Sequence, residues 1–130
     1  MAKQYTFTKQ ERLKSQKLTE HLFSKGKSFS VYPVKVLYNF VDDPTRTLQA
    51  GVTVSSRNFK KAVDRNRVKR VLREVYRLQK LPLQNFLKEQ NKSVAVFFIY
   101  TSKELPVFAE LNNKMEVILQ KLTDKLFKQF

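Results

Sequence analysis

The chain has 130 residues and a formal net charge of +15, from 26 Lys and Arg against 11 Asp and Glu. With 42% hydrophobic residues, we expect a single folded domain over residues 1–130 rather than a disordered basic tail. Cysteine is absent, which excludes disulfides, thiolate metal sites and a cysteine nucleophile. No signal-peptide pattern precedes residue 13 and no apolar run could span a bilayer, so we expect a cytoplasmic protein.

The first predicted element is a helix over residues 16–25. Ser15 can cap its start and Gly26 can end it. Leu22 and Phe23 belong to its apolar side.

Residues 34–41 alternate between two sets of side chains, which predicts a strand. One face carries Val34, Val36, Tyr38 and Phe40, and the other carries Lys35, Leu37 and Asn39. A turn at residues 42–45 leads to a second predicted strand at residues 48–55. Because the turn is short, we expect these two strands to pair as a hairpin.

A basic amphipathic helix is predicted from about residue 59 to residue 80, ending before Pro82. At about 100° per residue, one side forms an apolar stripe and the other a polar one. The apolar stripe contains Val68, Val71, Leu72 and Val75. The opposite side is predicted to contain Arg65, Asn66, Lys69, Arg70, Arg73 and Arg77.

Positive charge is concentrated in residues 57–80, which hold ten basic and two acidic residues. A solvated helix face is the ordinary interpretation of a charge run, but such a face usually mixes signs. Here Arg65, Lys69 and Arg73 follow one another at four-residue spacing, which is unfavourable unless an anionic partner compensates. The pattern therefore favours nucleic-acid binding, since the arginine fork suits phosphate.

The remaining chain predicts a buried strand and a long helix. Residues 83–90 fit either a short helix or a loop. Residues 94–100 are apolar throughout, as in a central strand that runs parallel to a neighbour. Residues 106–130 have apolar positions at helical spacing. Together the elements predict an α+β or α/β sandwich with helices packed on one sheet.

At residues 62–74 the chain resembles the protein component of bacterial ribonuclease P. The resemblance rests on the Arg-Asn-Arg core at residues 65–67, followed by Lys69-Arg70 and Arg73-Glu74. It extends to Arg12-Leu13-Lys14 and to the stretch from Gly51 to Ser55, and it covers about 70 residues.

The resemblance implies a two-layer α/β sandwich of αβββαβα order, with a small central sheet and a left-handed βαβ crossover. It also implies an accessory subunit of an endoribonuclease that removes the 5′ leader of precursor tRNA. The catalyst would be an RNA subunit using Mg²⁺. The protein would be monomeric, would bind no metal stably and would carry no catalytic residue of its own.

The resemblance also assigns binding residues. Contact with the catalytic RNA is implied for Arg65, Asn66, Arg67, Lys69, Arg70 and Arg73, and the charge run adds Lys60, Lys61 and Arg77. The substrate leader would lie in a cleft between the first helix and the sheet, with Phe23, Lys35 and Tyr38 as its candidate contacts. Core packing is the alternative for both aromatic residues. Thr19 stands one helical turn before Phe23, where the family often has another aromatic residue.

Other functions remain open from the residues alone. A structural RNA-binding protein of ribosomal or assembly-factor type would share the charge and the sandwich. A DNA-binding module would use the basic helix in a major groove, but no dimer seam or second recognition element is evident. A membrane-surface helix would need larger apolar anchors than valines. The chain has no evident protein active site, since Asp42-Asp43 fits a turn and His21 is its only histidine.

Overall fold

A computed structural model describes residues 11–43 and 45–129; Pro44 of the predicted turn lies outside this part of the chain. The described elements, in chain order, are α1 (Gln16–Lys25), β1 (Lys27–Val31), β2 (Val34–Val41), β3 (Leu48–Val54), α2 (Ala62–Gln79), α3 (Leu81–Glu89), β4 (Ser93–Tyr100) and α4 (Phe108–Phe127). The Ser15 hydroxyl accepts a hydrogen bond from the Leu18 amide, which caps α1. α1 ends at Gly26 as predicted: the Gly26 amide donates to the Leu22 carbonyl oxygen at 3.0 Å, and a Cβ at this position would clash with that oxygen.

The sheet has the strand order β1-β2-β4-β3. β4 lies antiparallel to β2 and parallel to β3, so it is central and has a parallel neighbour, as predicted. The predicted hairpin of β2 and β3 is wrong, because β4 is inserted between them. β2 pairs instead with β1, a five-residue strand that the residue pattern did not reveal.

The main core lies on the face of the sheet covered by α2, α3 and α4. α2 contributes Val68, Leu72, Val75 and Tyr76, and α4 contributes Leu111, Met115, Ile118, Leu119, Leu122 and Leu126. The sheet meets them with the even-numbered residues of β2 and β4, such as Val36 and Phe98. A continuous apolar core of this kind supports the two-layer sandwich that was predicted.

The other face of the sheet is covered in part by α1. Leu22 is fully buried against Leu37 of β2 and Ala95 of β4, with Phe97 and Ile99 packed at the margin. The odd-numbered residues of these strands therefore point toward α1. Because one ten-residue helix cannot cover four strands, part of this face stays open beside α1.

The connection between the parallel strands β3 and β4 contains two helices rather than one. Residues 83–90, which from the sequence fit either a short helix or a loop, lie almost entirely in α3, which has Pro82 in its first turn where a missing amide hydrogen is tolerated. The observed order is therefore αβββααβα instead of αβββαβα. The left hand of this crossover stays a prediction from the resemblance.

Candidate nucleic-acid interface

α2 presents a polar surface away from the core. Six of the nine residues predicted to bind RNA are exposed, namely Lys60, Lys61, Asn66, Arg67, Arg70 and Arg73. Lys69, Arg65 and Arg77 are half-buried. We call Asn66, Arg67, Lys69, Arg70 and Arg73 the outer face of α2. The apolar stripe of the same helix is buried, so its backbone holds these side chains on a rigid support.

Arg65 does not belong to this outer face, which corrects the prediction made from periodicity. Around the helix axis it lies about 60° from Val68 and about 20° from Leu72, both fully buried. Its Nη1 donates hydrogen bonds of 2.8 Å to the carbonyl oxygens of Phe59 and Lys60. Arg65 therefore fastens the loop that precedes α2.

Arg77 is at the other end of the helix and is paired with Glu74. Its Nε and Nη2 donate to the two carboxylate oxygens of Glu74 at 3.3 and 2.5 Å. This hydrogen bonding, together with the positive charge of Arg77, lowers the pKa of Glu74. Glu74 thus neutralises part of the positive charge that the sequence had assigned to RNA binding.

The opposite side of the sheet brings Phe23 together with Phe97, a residue missing from the predicted site. Phe23 is 54% exposed, and its ring centroid lies 5.3 Å from that of Phe97. Phe97 is half-buried and stands between Leu37 and Gly51 on the neighbouring strands. Two aromatic rings beside an open sheet surface can accept an unstacked base.

Lys35 lies on the same side of the sheet as Phe23. It is exposed and opposes Ile99 of β4, which in turn opposes Thr53 of β3. We call this open surface, made of Phe23, Lys35, Thr53, Phe97 and Ile99, the cleft face. It offers one cation, two aromatic rings and a hydroxyl group beside α1.

Tyr38 lies on the other face of the sheet, so its prediction as a cleft residue is wrong. It is 4% exposed, within the main core. Its ring packs edge-on against Phe29 with a centroid distance of 5.9 Å. Burial raises the pKa of its hydroxyl, as expected for a phenol in an apolar setting. Core packing, the alternative for this tyrosine, is what the structure shows.

Two polar residues of α1 contact their surroundings locally. The hydroxyl of Thr19 donates to the Ser15 carbonyl oxygen at 2.9 Å. The Nε2 atom of His21 lies 3.3 Å from Nδ2 of Asn39 at the margin of the sheet. His21 is exposed, as expected for a surface residue.

Metal-ligating side chains do not cluster in the described part of the chain: within residues 11–43 and 45–129, no three His, Asp or Glu residues come together. The same residues include no helix that is long and apolar enough to cross a membrane.

Comparisons with known proteins identify the family of this chain. A family model for ribonuclease P matches residues 7–123. The chain belongs to the ribonuclease P protein family. It is 35% identical over 113 residues to the ribonuclease P protein component of Porphyromonas gingivalis, covering 86% of this chain and 82% of that protein. It is 30% identical over 125 residues to that of Chlorobium phaeobacteroides, covering 88% and 86%.

Solved structures of ribonuclease P proteins share the fold. That of Staphylococcus aureus matches with a TM-score of 0.67 at 19% identity, covering 86% of this chain and 94% of that one. That of Thermotoga maritima matches with a TM-score of 0.66 at 24% identity, covering 85% and 96%. The α+β sandwich predicted from the resemblance is confirmed. As a ribonuclease P protein component, the chain is part of a ribonucleoprotein nuclease.

Proposed function

We propose that this protein binds the catalytic RNA of ribonuclease P through the outer face of α2, and the 5′ leader of precursor tRNA through the cleft face. The complex then removes the leader by Mg²⁺-dependent endonucleolytic cleavage, which gives the mature 5′ end. The protein acts as a monomer in the cytoplasm. Membership of the family favours this function over that of a ribosomal or assembly-factor protein.

The observation that carries the proposal is the arrangement of α2. On one side of the helix Val68, Leu72, Val75 and Tyr76 are buried. On the other side Arg67, Arg70 and Arg73 are exposed. Fixed guanidinium groups along one helix suit the phosphates of an RNA backbone, which they can bind in a bidentate manner. Asn66, among these donors, adds an acceptor that can reach a base edge or a ribose hydroxyl.

The cleft face supports the second contact. A base of a single-stranded leader can stack on Phe23, whose ring packs against that of Phe97. Stacking of this kind contributes about 1–3 kcal/mol per base and tolerates any sequence. Lys35 on the same side supplies a charge for the leader backbone.

The chemistry of the donor set supports assigning catalysis to the RNA. Two-metal hydrolysis of a phosphodiester needs clustered carboxylates, and the described residues bring no three metal-ligating side chains together. We therefore assign the Mg²⁺ ions to the RNA subunit. The protein contributes charge, orientation and a stacking surface.

Cleavage of precursor tRNA by the RNA subunit at limiting Mg²⁺, with and without this chain, tests the proposal. We expect the protein to restore cleavage at Mg²⁺ concentrations where the RNA alone is slow, and to favour precursor over mature tRNA in binding. Cleavage unchanged by the protein at every Mg²⁺ concentration would overturn the proposal and favour a structural RNA-binding role.

A further inference from the structure

The chain before α1 runs along the outer edge of the sheet. Arg12 forms a parallel bridge with Ala50 of β3, and the Leu13 amide donates to the Ala50 carbonyl oxygen at 2.9 Å. β3 is the edge strand on this side of the sheet. A single bridge is a weak attachment, and packing of the Leu13 side chain against the apolar cluster around Leu22 adds to it.

A buried ion pair attaches the start of the segment as well. The ammonium group of Lys80 contacts the carboxylate of Glu11, and their side chains are 2% and 16% exposed. Lys80 stands at the junction of α2 and α3, so the pair links the main helical layer to the start of the segment. Removing only one partner of such a pair leaves a buried charge uncompensated, which is strongly unfavourable.

The segment held in this way lines a groove of about 240 Å³. Its cationic lining comes from Arg12 and Lys14 of the segment and from Arg73 of α2. Gly51 and Phe97 line it as well. Because Arg73 belongs to the outer face of α2 and Phe97 to the cleft face, the groove joins the two proposed RNA-binding surfaces across the β3 edge.

Arg12 and Arg73 both line this groove. Burial lowers the pKa of Arg73, and the positive charge of Arg12 lowers it further. Arginine side chains can bind a phosphate in a bidentate manner, so this pair of guanidinium groups suits a phosphodiester.

We propose that the Lys80–Glu11 pair is a positioning device, which holds Arg12 and Lys14 so that with Arg73 they form a phosphodiester site for single-stranded RNA. This inference rests on the proposed function and extends it, since it adds residues outside the Arg-Asn-Arg motif. RNA that leaves the cleft face past Phe97 meets this groove before it reaches α2. Lys80 itself touches no RNA and acts only through the segment.

Salt dependence of binding separates these roles. The full-length protein is titrated with a labelled single-stranded oligouridylate over a range of KCl concentrations, and with the RNA subunit in parallel. Each phosphate contact to single-stranded RNA contributes about 0.7 to the slope of log K against log salt. We expect Arg12→Ala and Lys14→Ala each to lower the oligouridylate slope by about that amount, and Lys121→Ala on α4 to leave it unchanged.

The double variant Glu11→Gln/Lys80→Met tests positioning, because it removes both charges and keeps the side-chain volumes similar. We expect it to lower the slope as Arg12→Ala does, and adding Arg12→Ala to it to produce little further change. Hydrogen exchange of the Leu13 amide should accelerate in the double variant. A purely structural pair would instead lower the melting temperature and leave both the slope and the Arg12→Ala effect intact.

Arg70→Ala distinguishes failure of this inference from failure of the proposed function. If Arg70→Ala weakens binding to the RNA subunit but Arg12→Ala and Lys14→Ala leave the oligouridylate slope unchanged, the groove is not a phosphodiester site. If Arg70→Ala has no effect either, the proposed function fails as well. Because Arg12 and Lys14 are exposed, their variants remain informative even if the double variant does not fold.

Discussion

Gly51 leaves the space that the ring of Phe97 occupies. A Cβ placed on Gly51 would lie 2.8 Å from Cε2 of Phe97, although its backbone φ is not positive and would suit alanine. The ring cannot simply turn away, since Phe23 packs on it with a centroid distance of 5.3 Å. Because residue 51 has no side chain, the Phe97 ring can lie beside it in the cleft face.

Gly51→Ala should therefore destabilise the protein by about 1–2 kcal/mol, as overpacking does elsewhere. In a Phe97→Ala background the same substitution should be neutral or stabilising by about 0.4–1 kcal/mol, because the clash is gone and the unfolded chain loses entropy. Urea denaturation of the four proteins measures this. Equal destabilisation by Gly51→Ala in both backgrounds would show that the ring is not the obstacle.

Substitutions of Phe23 and Tyr38 can be compared directly, because Phe23 is open to solvent and Tyr38 is in the core. Phe23→Ala should cost about 0.5–1.5 kcal/mol of stability and reduce the preference for precursor over mature tRNA by about fivefold or more. Tyr38→Ala should cost about 3–5 kcal/mol, whereas Tyr38→Phe should leave the preference unchanged. If Tyr38→Phe lost the preference for precursor tRNA, the Tyr38 hydroxyl would have to contribute to leader binding.

Arg65 and Arg70 should separate stability from RNA binding, although both belong to the basic run. Arg65→Ala removes two hydrogen bonds to backbone carbonyl groups and should lower the free energy of unfolding by about 1–2 kcal/mol. Arg70→Ala should leave stability within about 0.5 kcal/mol. It should instead lower the salt slope for the RNA subunit by about 0.7–0.9. Equal stability of the two variants would contradict the anchoring role of Arg65.

Glu74 should weaken RNA binding in the wild-type protein, because it neutralises Arg77. Glu74→Gln should therefore increase affinity for the RNA subunit and steepen its salt dependence. Since the folded-state pKa of Glu74 is lowered, its ion pair stabilises the protein above the unfolded-state pKa, and this is lost as pH falls through the lowered value. The pair is partly exposed and screened by solvent, so its contribution to stability should be small. Unchanged affinity in Glu74→Gln would place Arg77 outside the interface.

Local patterns in the sequence predicted most elements, because capping residues and apolar spacing act over short distances. Ser15 and Gly26 bound α1 as expected, and the apolar run of β4 marked a central strand. The pairing of β2 with β3 was wrong because a strand more than forty residues further along the chain, β4, lies between them. Such an insertion depends on long-range packing that a short turn does not reveal. β1 was missed because only Phe29 and Val31 of its five residues are apolar.

The candidate site was predictable in part. The resemblance indicated α2 as the binding helix. However, a spacing of about 100° per residue already places Arg65 near Leu72, on the buried side of that helix. Alternation along β2 likewise separates Lys35 from Tyr38, so the two could not share one cleft. Phe97 could have been found by the same alternation, as an odd-numbered residue of β4 facing α1. The contact of Lys80 with Glu11 has no local signal, since 69 residues separate them.

Comparison of two charge-matched variants tests the central claim that α2 docks against the catalytic RNA. Arg70→Ala/Arg73→Ala and Lys114→Ala/Lys121→Ala each remove two positive charges from exposed helical positions, on α2 and α4 respectively. The dissociation constant for the RNA subunit, measured at several salt concentrations, should rise in the α2 variant, and its dependence on salt should become weaker. The α4 variant should remain close to wild type. An equal weakening in both variants would contradict the account, because net charge alone, and not the outer face of α2, would then determine binding.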